Sequence, residues 1–311
     1  YVINSATHSA ELVQMIGAVS YICLLLGPCI GSISDSLDRR STLLRTYLLA
    51  AVTTGAAGVL GLAGVLGPLP MFSFVAVHSL AQTVDTTTRM ALLNDVLSVD
   101  KSQYLLGTVV SLRTVGSSCA RIFGNQVSGL LVQTLGVGSA FVAYTCLGFL
   151  AFCVLRFVPV MESSRPASKD PVMQKVSDGL KFARDVRAFS SLLGVTVIAN
   201  FFFWSHMPLI QVIATNLRMD AAETGFLASC NGIGGLLAAT LLTLVNPIRT
   251  GLLYCVGILA ATLMIFGAGS GSVPIVCCSL IAAGVSSGFF AGVQTAIVVD
   301  MAPAERRGCA L

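Results

Sequence analysis

The chain has 311 residues, of which 55% are hydrophobic and only 10% are charged, and its formal net charge is +4. A soluble domain carries about 25% charged residues, so this chain cannot cover a water-facing surface. Together with a mean hydropathy of +0.86, the composition indicates a polytopic membrane protein and excludes a soluble globular one. The small net charge gives no reason to expect a nucleic-acid partner.

Nine apolar segments are long enough to cross a bilayer, which takes about 20 residues in a helix. Unpaired backbone groups are not tolerated in lipid, so we predict helices and not strands. In chain order the segments cover residues 11–33, 42–66, 71–92, 105–131, 139–158, 190–213, 224–245, 252–267 and 273–299.

Most separators between these segments are short. The sequence Gly-Pro-Leu-Pro at 67–70 predicts a tight turn, and so do the glycines of 136–138 and 269–271. The separator 159–189 is long and charged. Within it, Asp170 is a good N-cap before Pro171, and apolar residues recur at helical spacing, which predicts a short amphipathic helix on the membrane surface. A solvated disordered linker is the alternative.

The basic residues lie almost entirely on one side of the predicted membrane. If the loop around 35–40 is cytoplasmic, 14 of the 18 Lys and Arg residues lie on the cytoplasmic side and only Arg218 lies outside. The remaining three, Arg89, Arg113 and Arg121, lie within apolar segments. This asymmetry follows the positive-inside rule and supports the helix count.

The ten residues at 31–40, Gly-Ser-Ile-Ser-Asp-Ser-Leu-Asp-Arg-Arg, place charge between two membrane-length segments. Because charges in hydrocarbon are costly, this stretch must lie at a membrane surface. The spacing Gly-x-x-x-Asp-x-x-x-Arg-Arg resembles the signature of the loop between helices 2 and 3 in the major facilitator superfamily, a family of secondary transporters.

Further stretches resemble bacterial drug- and siderophore-exporter-like permeases of that family. They are residues 87–97, 120–124 with Gly129, 178–182, 224–228 and 232–235. The resemblance covers essentially the whole chain and implies an all-α membrane helix bundle of the major-facilitator type, with about nine transmembrane helices in two pseudo-symmetric halves. Against the family's twelve helices, the chain would lack helix 1 and helices 11 and 12. We therefore expect a half-bundle at 1–158, a cytoplasmic linker at 159–189 and an incomplete half-bundle at 190–311.

The resemblance implies that the signature loop controls the cytoplasmic gate. The candidate gating residues are Asp35, Asp38, Arg39 and Arg40. Ser36 replaces the arginine that usually follows the signature aspartate, and in the family this arginine belongs to the charge network that locks the gate. The alternative is that these charges only set the topology.

Charged residues within the apolar segments are candidates for translocation or coupling. Asp85 and Arg89 are four residues apart with the acid first, the favourable order for an ion pair on a helix. Arg113 and Arg121 lie two turns apart on one helix face that cannot point at lipid. A proton-coupling or substrate-contact role competes with structural ion pairing for all four residues.

Polar and aromatic residues mark a candidate substrate cavity in the second half. The residues are Asn200, Trp204, His206 and Gln294. Aromatic side chains offer an adaptable apolar surface for amphipathic ligands. Contact with lipid or with neighbouring helices is the alternative.

These patterns favour a proton-coupled exporter of a small amphipathic molecule. It would be a monomer in the plasma membrane, as a multi-pass protein of the bacterial inner membrane. A transport-inactive remnant or receptor-like relative is the alternative, favoured by Ser36 and by the apparent lack of terminal helices. An integral membrane enzyme is disfavoured, because neither HExxH nor GxSxG occurs. We expect no cofactor and no metal site, and the ten cysteines show no paired CxxC spacing.

Overall fold

The computed structural model describes residues 2–7, 9–34, 37–99, 103–157, 181, 184–202, 206–245, 257, 259–260, 262–263 and 266–301. Within these ranges the chain is all-helical and contains no strand, which confirms the predicted all-α class. The helices of six residues or more are α1 (Val2–Thr7), α2 (Ala10–Leu25), α3 (Gly27–Ser34), α4 (Arg39–Leu62), α5 (Pro68–Val99), α6 (Gln103–Leu135), α7 (Val137–Phe157), α8 (Arg187–Phe202), α9 (His206–Asn216), α10 (Ala221–Val245) and α11 (Val273–Met301).

The first predicted span, 11–33, is wrong as a single helix. The structure divides it into α2 and α3 at Leu26, whose amide donates to the Cys23 carbonyl oxygen at 3.2 Å in a tightened last turn. Pro28 has no amide hydrogen and cannot donate to the preceding turn, and Gly27 beside it is a poor helix former. The sequence therefore carried a local signal for this break.

The predicted turn at 67–70 is also wrong in its position. The turn lies earlier, where Gly64 takes a positive φ of +71° that only glycine adopts without strain. Helix α5 already begins at Pro68, and the Gly67 carbonyl accepts the amide of Met71. A proline in the first turn is tolerated because amides there have no partner within the helix.

Two predicted features lie largely outside the described residues. The amphipathic helix within 159–189, with Asp170 and Pro171, is one of them. The other is the span 252–267, of which only short helical pieces are described. Residues 203–205, between α8 and α9, also lie outside the described ranges, within the predicted span 190–213.

The chain forms two compact units. Unit 2 comprises Val2–Ser102 and Thr134–Lys181, so it contains α1 to α5 and α7. In it, α4 packs on α5 and along α7, and α5 also packs on α2 and α3. Helices α4 and α7 approach each other closely, since a Cβ on Gly61 would lie 2.9 Å from the Gly138 Cα. Glycines thus bring two apolar helices into backbone contact.

Unit 1 comprises Gln103–Gln133 and Phe182–Leu311, and α10 is its central helix. One side of α10 meets α6, where a Cβ on Gly225 would lie 2.5 Å from the Asn125 carbonyl oxygen. Another side meets α11, where a Cβ on Gly284 would overlap the Asn231 carbonyl oxygen. The apolar core of the unit joins α9, α10 and α11 and contains Ile210, Ala214, Leu227, Cys230, Ala268, Val276 and Leu280.

Four of the described helices are long and apolar enough to cross a membrane. The spans are Arg39–Leu62, Val137–Phe157, Ala221–Leu242 and Val273–Phe290. Large apolar side chains remain exposed along α7, among them Leu147, Leu150 and Phe157. Such surfaces are unfavourable in water but fit lipid, so the chain is a multi-pass membrane protein. The other spans of the predicted nine stay predictions.

Candidate functional site

Polar side chains from three helices of unit 2 meet along one face of α5. His78, Asp85 and Arg89 of α5 lie two turns and then one turn apart, so they share that face. Tyr47 of α4 and Tyr144 of α7 complete the group, because these helices belong to the same packed unit. We call these five residues the α5 polar cluster. It extends about 16 Å along the helix.

Asp85 and Arg89 form the ion pair that their spacing predicts. The Arg89 guanidinium donates to Asp85 Oδ2, and it also donates to the Tyr47 hydroxyl at 3.1 Å. The Asp85 side chain is only 15% exposed, whereas that of Arg89 is 52% exposed. Asp85 Oδ1 is buried and has no hydrogen-bond partner among the described residues. Oδ2 is therefore paired with Arg89, and the Tyr47 hydroxyl also interacts with this carboxylate.

His78 occupies the other end of the cluster. Its ring stacks on Phe74 with centroids 5.5 Å apart, and Nε2 lies 3.4 Å from the Tyr144 hydroxyl. Nδ1 is buried without a hydrogen-bond partner in the part of the chain described. Tyr144 is also close enough to Asp85 for an electrostatic interaction. Tyr144 is therefore a neighbour of both the imidazole and the carboxylate.

The signature loop is seen only in part, since Asp35 and Ser36 lie outside the described residues. Asp38 is the N-cap of α4, and its exposed carboxylate accepts the amide of Ser41 at 2.7 Å. The Arg40 guanidinium donates to the Arg156 carbonyl oxygen near the end of α7. Arg39 begins α4 and is half-buried. Asp38 and Arg40 thus complete the ends of two helices.

The predicted residues of the other helices lie in unit 1. Arg121 of α6 donates to the Ser118 hydroxyl at 3.4 Å, and its guanidinium lies over Gly235 of α10. Arg113 lies on the same helix, but its side chain is outside the description.

Of the four cavity candidates, only His206 has a described side chain. His206 begins α9 and is buried, with 4% exposure. Asn200 lies in α8 and Gln294 in α11, but their side chains are not described, and Trp204 lies outside the described residues altogether. Their role in a cavity stays a prediction.

The described residues offer no place for a metal. Among them, no group of three or more His, Cys, Asp or Glu residues could hold an ion. The eight cysteines that the structure describes are free thiols.

The sequence analysis missed Tyr47, His78 and Tyr144. One signal was available, since His78 precedes Asp85 by seven residues and therefore lies on the same helix face. The tyrosines carried no such signal, because they come from helices whose pairing with α5 cannot be read from spacing.

A sequence model of the Major Facilitator Superfamily matches residues 2–311. The chain belongs to the major facilitator superfamily. This finding confirms the resemblance seen in the signature loop and the predicted bundle class. Two crystal structures of the nucleoside transporter NupG, one of them of a point mutant, resemble the fold of this chain with TM-scores of 0.67 and 0.69. Each match covers 96% of the chain and 76% of NupG at 13–14% identity, so it shows the fold alone.

The chain is similar in sequence to the multidrug efflux pump Tap of Mycolicibacterium fortuitum. It is 24% identical over 245 residues, which are 76% of this chain. The matched part of this chain spans 58% of the length of that relative.

Proposed function

We propose that this chain forms the core of a secondary active transporter that exports a small amphipathic molecule in exchange for protons. Membership in the superfamily supports transport by alternating access, and the efflux relative supports export. The observation that carries the proposal is the environment of the Asp85 carboxylate. Its Oδ2 atom pairs with Arg89, and its Oδ1 atom is buried without a hydrogen-bond partner among the described residues.

Asp85 fits a coupling role because its charge depends on a contact that can change. Arg89 stabilises the ionised carboxylate, and a carboxylate that loses such a partner in a low-dielectric site favours its protonated form. Arg89 is half-exposed, so a rearrangement of the surrounding helices can draw it toward water. Proton uptake and release at Asp85 would then follow the opening of the transporter to each side. Arg113 and Arg121 of α6 stay candidate residues for translocation in the other unit.

The test is Asp85→Asn in the intact protein, reconstituted in liposomes with and without an imposed pH gradient. Transport is followed with a fluorescent panel of cationic ethidium and anionic 8-anilinonaphthalene-1-sulfonate. We expect the variant to lose gradient dependence while it keeps exchange of the probe. Asp185→Asn is the matched control, since that carboxylate is 72% exposed.

Gradient-driven transport at the wild-type rate in Asp85→Asn would rule out coupling at this residue. Failure of the variant to insert or fold would instead favour a permanently ionised structural pair with Arg89. If the wild-type protein transports none of the probes, the result would favour the transport-inactive alternative.

We further propose that Asp35, Asp38, Arg39 and Arg40 control the cytoplasmic gate. The N-cap role of Asp38 allows a clean separation of charge from capping, because serine caps a helix equally well. We expect Asp38→Ser to keep stability while it increases labelling of cytoplasmic cysteines, as should Asp35→Asn. Unchanged accessibility and transport in both variants would leave these charges a topological role only.

The proposed arrangement is a monomer with half-bundles at 1–158 and 190–311, joined by a cytoplasmic linker at 159–189. Asn200, Trp204, His206 and Gln294 would line the cavity of the second half. The charge asymmetry supports this topology in a bacterial inner membrane. Single cysteines placed at 165 and 306 should label only from the cytoplasmic side. Labelling from outside intact cells would reverse the topology.

A further inference from the structure

Arg121 is a cation in a long helix of unit 1, and the described residues supply no countercharge for it. It lies 14 residues before the end of α6 at Leu135, or about 21 Å along the helix. Its guanidinium donates to Ser118, and no carboxylate of the described residues pairs with it. An arginine at this depth is costly unless an anion or a polar group compensates it.

Asn231 of α10 is the second polar group left incomplete nearby. It is 2% exposed, and neither its amide nitrogen nor its amide oxygen has a hydrogen-bond partner in the part of the chain described. Asn231 precedes Gly235 by four residues, so both lie on the same side of α10. The Arg121 guanidinium reaches that side, since a Cβ on Gly235 would lie 3.0 Å from Arg121 Nη2.

Helix packing holds these groups at one seam between α6, α10 and α11. Gly232 brings α10 onto the stem of Arg121, where a Cβ would lie 3.3 Å from the arginine Cβ. On the other side of Asn231, Gly284 of α11 packs against its main-chain carbonyl. We call Ser118, Arg121, Asn231 and Gly235 the Arg121 seam.

The depth of the seam narrows the class of ligand. Asn231 follows Ala221, the first residue of α10, by ten residues, or about 15 Å, which is half of a hydrocarbon core about 30 Å thick. A phospholipid headgroup stays at the interface and does not reach this level. A cation is excluded by the charge of Arg121. A planar oxyanion fits, because a guanidinium binds a carboxylate with two parallel hydrogen bonds and an amide nitrogen can donate a third.

We propose that the Arg121 seam binds the carboxylate of the transported molecule, with Arg121 as its ionic partner and Asn231 as a hydrogen-bond donor. The inference rests on the proposed transport function and names its substrate class, a small organic carboxylate. Asp85 of unit 2 takes no part in this recognition, because its charge already pairs with Arg89.

The test compares two probes of one shape that differ in charge, 2-naphthoate and 2-naphthamide. Their equilibrium binding to the intact protein in nanodiscs is measured by calorimetry without any gradient. We expect wild type to bind naphthoate roughly 10-fold to 100-fold more tightly, as a hydrogen-bonded charge predicts. Arg121→Gln should abolish this preference, and Asn231→Leu should weaken naphthoate binding by about tenfold.

A second variant keeps the proposal open to refutation if Arg121→Gln does not fold. In Gly235→Ala the added methyl group would crowd Arg121 Nη2, so naphthoate binding should weaken while Arg121 is still present. The proposal is overturned if the wild-type protein shows no preference for naphthoate, which includes the case that neither probe binds. It is also overturned if the preference persists in a folded Arg121→Gln variant. Proton coupling is read from gradient-driven transport and this site from binding without a gradient, so a failure of proton coupling and a failure of this site give different results.

Discussion

The two units of the molecule differ in how they compensate the charge of an arginine within a helix. In unit 2, Arg89 pairs with Asp85 and donates to Tyr47, so its charge is balanced within the protein. In unit 1, the Ser118 hydroxyl is the only hydrogen-bond partner of Arg121 among the described residues, and the side-chain amide of Asn231 on the neighbouring helix has none among them. The proposed roles follow from this difference: the paired carboxylate suits proton exchange when its geometry changes, whereas the arginine without a described carboxylate partner suits an anionic ligand.

Helix packing does not explain this difference, because both units are built in the same manner. The α4–α7 contact of unit 2 and the α10–α11 contact of unit 1 both depend on glycines that bring backbones together. The contrast between the units therefore lies in their polar side chains. Variants of the packing and of the polar groups should separate the two effects.

The largest effect is expected from the glycines, equally in both units. In Gly234→Ala the new methyl group would overlap the Ile281 carbonyl oxygen, and in Gly138→Ala it would lie 2.5 Å from the Leu62 amide nitrogen. Each change should lower the free energy of unfolding by roughly 2–4 kcal/mol, since backbone cannot move aside cheaply. Unfolding of the purified protein in SDS titrations measures this loss.

Gly116→Ala is the control for these variants, because nothing lies within 4 Å of a Cβ at that position. Alanine there should be neutral or stabilising by about 1 kcal/mol, as in any helix interior. A large loss in only one of the two units would show that the packing differs after all.

A smaller effect of opposite sign is expected for the two arginines. Arg89→Met leaves the mostly buried Asp85 without a partner and should lower the free energy of unfolding by about 1–3 kcal/mol. The value lies below that of a fully buried pair because Arg89 is half-exposed. Arg121→Met removes a charge that no described carboxylate balances, so it should leave stability unchanged or raise it by about 1 kcal/mol. SDS titration again compares the variants.

Equal destabilisation by both substitutions would contradict this contrast. It would mean that Arg121 has a countercharge in the folded protein and that the Arg121 seam does not await a ligand. Asp85→Asn combined with Arg89→Met provides a check, since the double variant should recover part of the loss.

The sequence predicted what depends on neighbours along the chain. Hydropathy located α4, α7, α10 and α11 within a few residues, and four-residue spacing identified the pair of Asp85 and Arg89. The break near Pro28 was missed, although proline carries a local signal for it, because overall apolarity outweighed one missing amide. Local rules of this kind concern residues within one turn of each other.

The rest depends on which helices pack together. Tyr47 reaches Arg89 from 42 residues away, and Tyr144 reaches His78 from 66 residues away. Neither spacing has a periodic signature. Asn231 is one polar residue beside several glycines in the sequence, and only the packed structure shows that its side-chain amide is buried without a partner among the described residues. Chemistry shared between helices therefore had to come from the structure.

The smallest effect is expected for the hydroxyl groups that contact the two arginines. Tyr47→Phe removes the 3.1 Å hydrogen bond to Arg89 and should lower the free energy of unfolding by about 1 kcal/mol. Ser118→Ala removes a longer contact of 3.4 Å to Arg121 and should cost about 0.5 kcal/mol or less. Ser73→Ala is the control, since that hydroxyl donates only to the Leu69 carbonyl of its own helix.

Double-mutant cycles test whether these small losses of stability arise from the contacts with Arg89 and Arg121. If Tyr47 acts through Arg89, the loss in Tyr47→Phe should largely disappear in the Arg89→Met background, with a coupling energy of about 0.5–1 kcal/mol. Ser118→Ala and Arg121→Met should combine almost additively, because the contact between them is weak and no carboxylate of the described residues pairs with Arg121 with or without it. A strong coupling of Ser118 to Arg121, together with none between Tyr47 and Arg89, would reverse the assignment of the balanced and unbalanced arginines.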